Sequence, residues 1–288
     1  MMTPASRSST SLCHRTVPWC CLISILFAIR VNLTQGTDSA LLRDCAERYA
    51  DGLDQIRAGL GAQIRFHPLT VSASSRRDIV LGAGSGRTGT LSIAQILARL
   101  GLLTLHWTEL LHESFPPTGM SSLDAVSWTL PLVRMLGGEV YWASTSSLPY
   151  RGAAMCQAQL RLFNFTSLPR YIDALTDTPV AELFLDLLLS FPAAKVILTT
   201  RPAGDWAASR LQEPTARNVF LPIQEPCGLT FQSTLGNFNA SHLARMFELN
   251  NAFVRCVVPP SQLLEIDFFD TSSGSISDIE RSVSRFVK

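Results

Sequence analysis

The sequence predicts an α/β fold of three layers, with a mainly parallel sheet flanked by helices. Short apolar runs at 79–81, 195–200 and 263–266 alternate with segments of helical periodicity, and this alternation is typical of parallel-sheet domains. The run KVILTT at 195–200 is continuous rather than alternating, as in strands buried on both faces. With 47% hydrophobic and 16% charged residues among 288, the chain has the composition of one large globular domain.

The first half of the chain predicts a helix and then the opening strand of the sheet. Residues 41–60 have apolar side chains at helical spacing and form a helical lead-in. The residues on its apolar face are Leu42, Cys45, Tyr49 and Leu53. The run 79–81 predicts a strand, and residues 91–100 predict a helix that stops at Gly101. The elements predicted next are a strand at 102–106 and a short helix at 107–115.

The second half has clearer element boundaries. Prolines bracket a helix at 180–191, on which Glu182 and Asp186 are four residues apart and are expected on an exposed polar face. The strand at 195–200 ends beside Arg201. Further periodicity predicts helices at 206–211, 241–258 and 276–287 and a strand at 263–266.

The N-terminus has the features of a targeting segment. An uncharged apolar run of 13 residues, 17–29, follows Arg7, His14 and Arg15 and precedes Arg30. Its length is that of a signal peptide and is short of the about 20 residues that span a membrane. No small-x-small cleavage site follows, which favours a signal anchor over a signal peptide. The predicted organisation is 1–34 signal segment, 35–77 helical lead-in and 78–288 α/β domain.

Sequons and cysteines agree with entry into the secretory pathway. Asn32, Asn164 and Asn239 each begin an Asn-x-Ser/Thr sequon, which predicts a glycoprotein. The cysteines beyond the signal segment permit two disulfides in three connectivities, with free buried thiols as the alternative. They are Cys45, Cys156, Cys227 and Cys256. An uncleaved signal segment would hold the protein in a membrane, and a cleaved one would release it as a secreted protein.

The segment 78–90, DIVLGAGSGRTGT, is the most informative in the chain. A strand breaks into four glycines within eight residues and a helix follows, so bare backbone N–H groups and a helix N-terminus face the loop. Arg87 adds a forked donor, and Thr88 and Thr90 add hydroxyls. These groups suit a phosphate or a similar anion. A net charge of +1 gives no general attraction to nucleic acid, so the anion site is local.

Two nucleotide-binding motifs fit this loop incompletely. The triphosphatase motif has four residues between its first glycine and Gly-Lys-Ser/Thr, whereas here three residues intervene and Arg87 replaces the lysine. The Rossmann motif G-x-G-x-x-G is met by Gly84, Gly86 and Gly89, with Glu109 20 residues further on. An NAD(P)-binding oxidoreductase is therefore an alternative that the sequence leaves open.

A third interpretation rests on two separated motifs. GAGSGRTGTLSIAQILARLG, from residue 82, resembles the 5′-phosphosulfate loop of sulfotransferases. KVILTTRPAGDWAASR, at 195–210, is similar to the segment of that family that holds a 3′-phosphate, and Asp177-Thr-Pro179 resembles its Asp-x-Pro. The resemblance covers about 78–110 and 177–210. It implies a P-loop NTPase-like sulfotransferase fold.

The resemblance also implies a site for the sulfate donor 3′-phosphoadenosine 5′-phosphosulfate (PAPS). The residues implied are Gly84, Ser85, Gly86, Arg87, Thr88, Gly89, Thr90, Arg201 and Ser209. PAPS carries two separate anionic groups, and two anion sites at one edge of a sheet suit it. No metal is implied. The implied reaction transfers a sulfuryl group to a hydroxyl or amine of a carbohydrate or small molecule, in a Golgi-type membrane.

Three residues are predicted to act in the transfer. Arg87 would offset charge that develops on the leaving phosphate. His106, at the end of a predicted strand, is the first candidate for the general base, with a structural histidine as the alternative. Glu109, one turn further, is the second candidate. Pro202 stands where the family has Asp, and an inactive lumenal binding protein of the same fold is a further alternative.

Other residues near the two motifs have structural interpretations. Trp206 is expected to pack in the core rather than to stack on adenine. Asp205 is the alternative partner of Arg201, and Asp177 is expected to orient its loop or to cap the next helix.

Overall fold

The computed structural model describes residues 39–60, 75, 77–106, 162–177, 180–212, 238–270 and 275–288. The signal segment at 1–34, the predicted helix at 107–115 with Glu109, and Cys156 and Cys227 lie outside these residues. Within the described ranges, no helix has both the length and the apolar character needed to cross a membrane.

Among the described residues, five parallel strands form one sheet. They are β1 (Val80–Gly82), β2 (Thr104–His106), β3 (Ala174–Thr176), β4 (Lys195–Thr200) and β5 (Leu263–Asp267). Their spatial order is β2-β3-β1-β4-β5, and every neighbouring pair is parallel. β2 begins two residues later than predicted, and β3 lies where no strand was predicted. The order places β1, which precedes the glycine-rich loop, at the centre of the sheet.

Helices precede, separate and follow the strands. They are α1 (Ser39–Leu60), α2 (Thr90–Arg99), α3 (Phe184–Ser190), α4 (Ala203–Gln212), α5 (Ala240–Val257) and α6 (Ile276–Val287). α2 ends before Gly101, whose φ of 85° is a left-handed conformation that glycine adopts readily. α5 begins after Asn239, whose side chain accepts a hydrogen bond from the His242 N–H at 2.8 Å. The stop at Gly101 was predicted from the sequence, whereas the Asn239 cap was not.

The helices cover both faces of the sheet and confirm the three-layer α/β prediction. Val80 of β1 lies in one apolar cluster with Ile93 of α2 and Val283 of α6. Its neighbour Leu81 lies in another cluster, with residues of α1, α3 and α5 that include Phe184. Successive residues of a strand point to opposite faces, so both faces of the central strand are buried.

α1 packs on the same core as the sheet and is joined to α5 by a disulfide. The predicted apolar face of α1 is buried, which confirms the helical pattern. Cys45 and Cys256 are bonded, with a Cα–Cα distance of 5.8 Å. The hydroxyl of Tyr49 donates to Oδ1 of Asn250 at 2.7 Å. Of the alternatives left open by the sequence, these two cysteines therefore form a disulfide rather than free thiols.

Glu182, just before α3, and Asp186, within it, are both buried, so the prediction of an exposed polar face on this segment was wrong. Glu182 and Asp186 are 9% and 2% exposed. α3 packs against β1 and a short 3₁₀ helix, Phe165–Ser167. Apolar residues of α3 are buried on every side of the helix, so none of its faces is open to solvent. Burial raises the pKa of Asp186 to about 7, because a charged carboxylate is disfavoured away from water.

Candidate functional site

The carboxyl ends of the parallel strands bring both predicted anion motifs to one edge of the sheet. His106, the last residue of β2, is in register with Thr176, the last residue of β3. β1 ends beside them at Gly82, where an added Cβ would lie 3.0 Å from Cγ2 of Thr176. β4 extends beyond the ends of these three strands, to Thr200, and Arg201 follows it. Ligands of open parallel sheets bind at this edge.

Two glycines of the loop lie where a side chain would collide with a neighbouring strand or with the residue that follows one. A Cβ on Gly84 would lie 1.9 Å from Oγ1 and 2.8 Å from the carbonyl oxygen of Thr199 in β4. Gly89, with φ 96°, would place a Cβ 2.5 Å from the ring of Phe268, which follows β5. Gly89 is also the Ncap of α2 and has no side chain to cap it. The first N–H groups of α2 therefore face the loop.

The buried Thr88 connects the loop to β4 through hydrogen bonds of its hydroxyl. Its side chain is fully buried, and its hydroxyl lies 2.6 Å from the Ser85 carbonyl oxygen and 2.6 Å from Oγ1 of Thr199. The hydroxyl donates to Ser85 while Thr199 donates to it, since each hydroxyl has one proton. Thr88 thus holds the loop against β4, and its direct contact with a donor molecule stays a prediction.

Arg87 connects the loop to α4. It is exposed and has a left-handed backbone, with φ 77°. Its Nε donates to Oγ of Ser209 at 3.2 Å, although the two residues are 122 positions apart. The predicted residues of the 5′-phosphosulfate loop and of the 3′-phosphate segment therefore touch each other.

Arg201 lies on the other side of the same loop. Its Nη1 donates to the carbonyl oxygen of Arg87 at 3.1 Å. Its guanidinium carbon stands 4.0 Å from the ring centroid of Phe269, which is a cation–π contact. These contacts, rather than the alternative pairing with Asp205, position the guanidinium. Phe269 was not predicted, although its place after β5 at the carboxyl edge of the sheet was a usable signal.

Trp206 is buried and holds the loop from the core, which agrees with the predicted core packing. Its ring stacks on Phe247 of α5, with centroids 4.6 Å apart. Its indole N–H donates to the carbonyl oxygen of Gly86 at 2.9 Å. The hydrogen bond was not predicted, because no pattern in the sequence indicates which carbonyl a core indole will meet.

His106 lies at the same edge, two strands from β1. It is 4% exposed, and its Nε2 lies 3.3 Å from Oδ2 of Asp177. Asp177 follows β3 and has a left-handed backbone, with φ 71°. Glu109, the second candidate base, lies outside the described residues. The structure thus brings Arg87, Arg201 and Ser209 together. His106 lies at the same edge of the sheet but at the end of β2, which β3 separates from β1.

The arrangement is suited to binding a ligand with two anionic groups. Arg87 and Arg201 supply two positive charges beside the N-terminus of α2, whose dipole also favours an anion. Ser209 supplies a hydroxyl on the α4 side. In the described part of the chain, no three His, Cys, Asp or Glu residues are grouped as metal ligands.

Comparison with known proteins identifies one family. The sequence model described as a sulfotransferase domain matches residues 79–271, about two thirds of the chain. The matched region contains the loop, Asp177, Arg201 and Ser209. No curated protein matches the chain at a significant level.

Proposed function

Because the chain belongs to the sulfotransferase-domain family, we propose that it transfers a sulfuryl group from PAPS to a hydroxyl or amine of a carbohydrate or small molecule. The family match favours this interpretation of the loop over the Rossmann alternative. The observation that carries the proposal for the donor is the contact of Arg87 with Ser209, since it joins two anion-binding segments into one site.

The residues at the sheet edge fit the donor. Gly84 and Gly89 leave the space that side chains would fill, and the N–H groups of the loop and of α2 would hold the 5′-phosphosulfate. Arg201 and Ser209 would hold the 3′-phosphate, with Arg201 aligned by Phe269. When bound, PAPS supplies an activated sulfuryl group. Arg87 would then offset charge developing on the phosphate side of the broken bond.

The acceptor must lose a proton, and His106 is the described residue proposed to take it. It lies at the end of β2, on the edge that carries the loop. In the proposed transfer, the acceptor oxygen or nitrogen bonds to sulfur, and the bond from sulfur to the 5′-phosphate oxygen breaks with its electron pair on that oxygen. The acceptor's proton passes to the imidazole and later to water.

The compartment proposed is the secretory pathway, in a Golgi-type membrane as a single-pass type II protein, or outside the cell if residues 1–34 are cleaved. The Cys45–Cys256 disulfide supports an oxidising compartment. Asn164 and Asn239 are exposed, so both sequons are accessible to glycosylation. The apolar run 17–29 would be the anchor.

Calorimetry with adenosine 3′,5′-bisphosphate tests the donor site without knowledge of the acceptor. We expect the wild type to bind it, and Arg87→Ala and Arg201→Ala each to bind at least tenfold more weakly, as expected for loss of a charge-assisted contact. Arg99→Ala is the matched control, because Arg99 lies at the far end of α2 and pairs with Glu280.

Each outcome decides a different part of the proposal. If the wild type does not bind adenosine 3′,5′-bisphosphate, the proposed sulfotransferase function is wrong. If Arg201→Ala binds it as tightly as the wild type does, the proposed 3′-phosphate site is wrong. Binding of NADH in place of the bisphosphate would support the oxidoreductase. Bisphosphate binding without transfer of labelled sulfate from PAPS to any acceptor would support an inactive binding protein.

A further inference from the structure

Two of the sequons lie in the described part of the chain, and in both of them the asparagine side chain caps a helix. Asn164 precedes the 3₁₀ helix Phe165–Ser167, and its Oδ1 accepts from the Thr166 N–H at 3.1 Å and from the Thr166 hydroxyl at 2.6 Å. Asn239 is the Ncap of α5, and its Oδ1 accepts from the His242 N–H at 2.8 Å. Each asparagine thus uses its side-chain oxygen to begin a helix.

The side-chain nitrogens of the same two asparagines are not used by the fold. An asparagine amide has an acceptor oxygen and a separate donor nitrogen, so a cap made by Oδ1 leaves Nδ2 available. Within the described ranges, Nδ2 of Asn164 and of Asn239 makes no hydrogen bond. Both residues are exposed. Each Nδ2 is therefore an unused amide nitrogen on an exposed side chain.

A sugar on Nδ2 would leave both helix caps intact. N-glycosylation of an Asn-x-Ser/Thr sequon adds the sugar to the asparagine nitrogen, and the caps depend on the oxygen. A glycan that is added before the chain folds must also remain outside the core, and exposed positions meet this requirement. The folded structure is therefore compatible with a glycan at Asn164 and at Asn239 without loss of a hydrogen bond.

The two sequons lie toward opposite edges of the sheet. α5 ends just before β5 begins, and its 18 residues span about 27 Å, so Asn239 at its start lies toward the carboxyl edge. Asn164 lies toward the amino edge, because the nearby Pro169 carbonyl oxygen accepts from Arg77 at 2.8 Å, three residues before β1. A glycan on Asn239 would thus be on the side of the proposed donor site, and a glycan on Asn164 on the opposite side.

We propose that Asn164 and Asn239 each carry an N-linked glycan on Nδ2, while Oδ1 caps the helix that follows. The co-reactant is a lipid-linked oligosaccharide pyrophosphate. The bond from the anomeric carbon of its first sugar to the phosphate oxygen breaks with its electron pair on that oxygen, the same carbon bonds to Nδ2, and Nδ2 loses a proton. This inference rests on the secretory compartment proposed above and is independent of the sulfuryl transfer.

Peptide mass spectrometry of the full chain, purified from a eukaryotic secretory host, tests occupancy. An N-glycosidase in water labelled with heavy oxygen converts each glycosylated asparagine to a labelled aspartate. We expect label at Asn164 and Asn239, with loss of the first in Thr166→Ala and of the second in Ser241→Ala. Thr166→Ser is the matched control, since it keeps the sequon and should keep the label. An unlabelled asparagine at either position in the wild type would overturn the proposal there.

The redox state of Cys45 and Cys256 separates failure of this inference from failure of the proposed compartment. Maleimide labelling of the same preparation distinguishes the disulfide from free thiols. If the disulfide is formed and both asparagines are unlabelled, the proposed glycans are wrong and the compartment stands. If the cysteines are free and both asparagines are unlabelled, the compartment and the glycans are both wrong.

Thermal unfolding tests the cap at Asn239 separately from the sugar. Ser241→Ala removes the glycan and keeps the asparagine, Asn239→Asp removes the glycan and keeps an acceptor oxygen, and Asn239→Ala removes both. We expect the first two variants to unfold within about 1 °C of each other and Asn239→Ala about 2–4 °C lower. Equal unfolding temperatures for all three would show that Oδ1 does not stabilise the start of α5, and the proposed division of the side chain would be wrong.

Discussion

The indole N–H of Trp206 donates a hydrogen bond of 2.9 Å to the carbonyl oxygen of Gly86 and so ties α4 to the glycine-rich loop. Because the same ring stacks on Phe247 of α5, the loop is positioned from the hydrophobic core. Arg201 reaches the loop as well, through the carbonyl oxygen of Arg87. The two predicted anion sites are therefore connected by hydrogen bonds. Substitutions in the core beneath them should weaken anion binding at the site.

Trp206→Phe tests this connection. The variant keeps an aromatic ring to stack on Phe247 and removes the donor to Gly86, so the loop carbonyl loses its partner. We expect a loss of about 1–2 kcal/mol of stability and about fivefold weaker binding of adenosine 3′,5′-bisphosphate, measured by calorimetry. Phe247→Leu is the control, since it weakens the stack and keeps the hydrogen bond. If both variants bind as the wild type does, the loop does not depend on the core.

Gly84→Ala tests the close approach of the loop to β4. The new methyl group would meet Oγ1 and the carbonyl oxygen of Thr199 at 1.9 and 2.8 Å, and the backbone atom cannot rotate away. We expect a loss of about 2–3 kcal/mol of stability and no measurable bisphosphate binding. Thermal unfolding and calorimetry measure the two effects.

Gly204→Ala is the matched control for that substitution. Gly204 lies in α4, and a Cβ there would have no atom within 4 Å among the described residues. We expect this variant to gain about 0.5–1 kcal/mol, because alanine favours a helix, and to bind normally. A Gly84→Ala protein as stable as Gly204→Ala would contradict the packing of the loop.

The fold was predictable from the sequence because its strongest patterns are local. β4 is continuously apolar, and the helix after the loop has a clear 3.6-residue period between a glycine-rich start and Gly101. The carboxyl edge of a parallel sheet then brings the loop and Arg201 together without any further information. The hydrogen bond of Arg201 to the carbonyl oxygen of Arg87 was not predicted.

The remaining parts of the site depend on contacts between distant residues. β3 was missed because its three residues, ALT between Asp173 and Asp177, lack the continuous apolar run that marked β1. The burial of Glu182 and Asp186 arises from neighbours that their spacing on a helix cannot reveal. The left-handed backbone of Asp177 likewise has no signal in its neighbours, since aspartate occurs in many turns.

Removal of the Cys45–Cys256 disulfide tests its contribution to stability. The bond joins residues 211 positions apart, so it restricts a long stretch of the unfolded chain. We expect Cys45→Ala/Cys256→Ala to lose about 3–5 kcal/mol in denaturant unfolding. Dithiothreitol should reproduce this loss in the wild type and leave the double variant unchanged. A wild type that is insensitive to the reductant would contradict the prediction.

Asp186 makes stability depend on pH near neutrality. Its pKa is raised by burial from 3.8 to about 7, so the folded protein binds a proton that the unfolded chain has already released. The protonated carboxyl group makes its full contribution to stability below about pH 4. That contribution is lost as the pH rises from 4 through 7. The difference is on the order of 4 kcal/mol between pH 4 and pH 8.

Asp186→Asn should remove this dependence, because the amide does not ionise and is of similar size. We expect the variant to unfold at a higher temperature than the wild type at pH 8, with the advantage shrinking on acidification and vanishing near pH 4. Asp278→Asn is a control of opposite sign, since hydrogen bonds from Ser275 lower the pKa of Asp278 and its contribution is lost on acidification instead. Thermal unfolding from pH 4 to pH 8 measures both. An Asp186→Asn protein with the same pH slope as the wild type would show that another group carries the dependence.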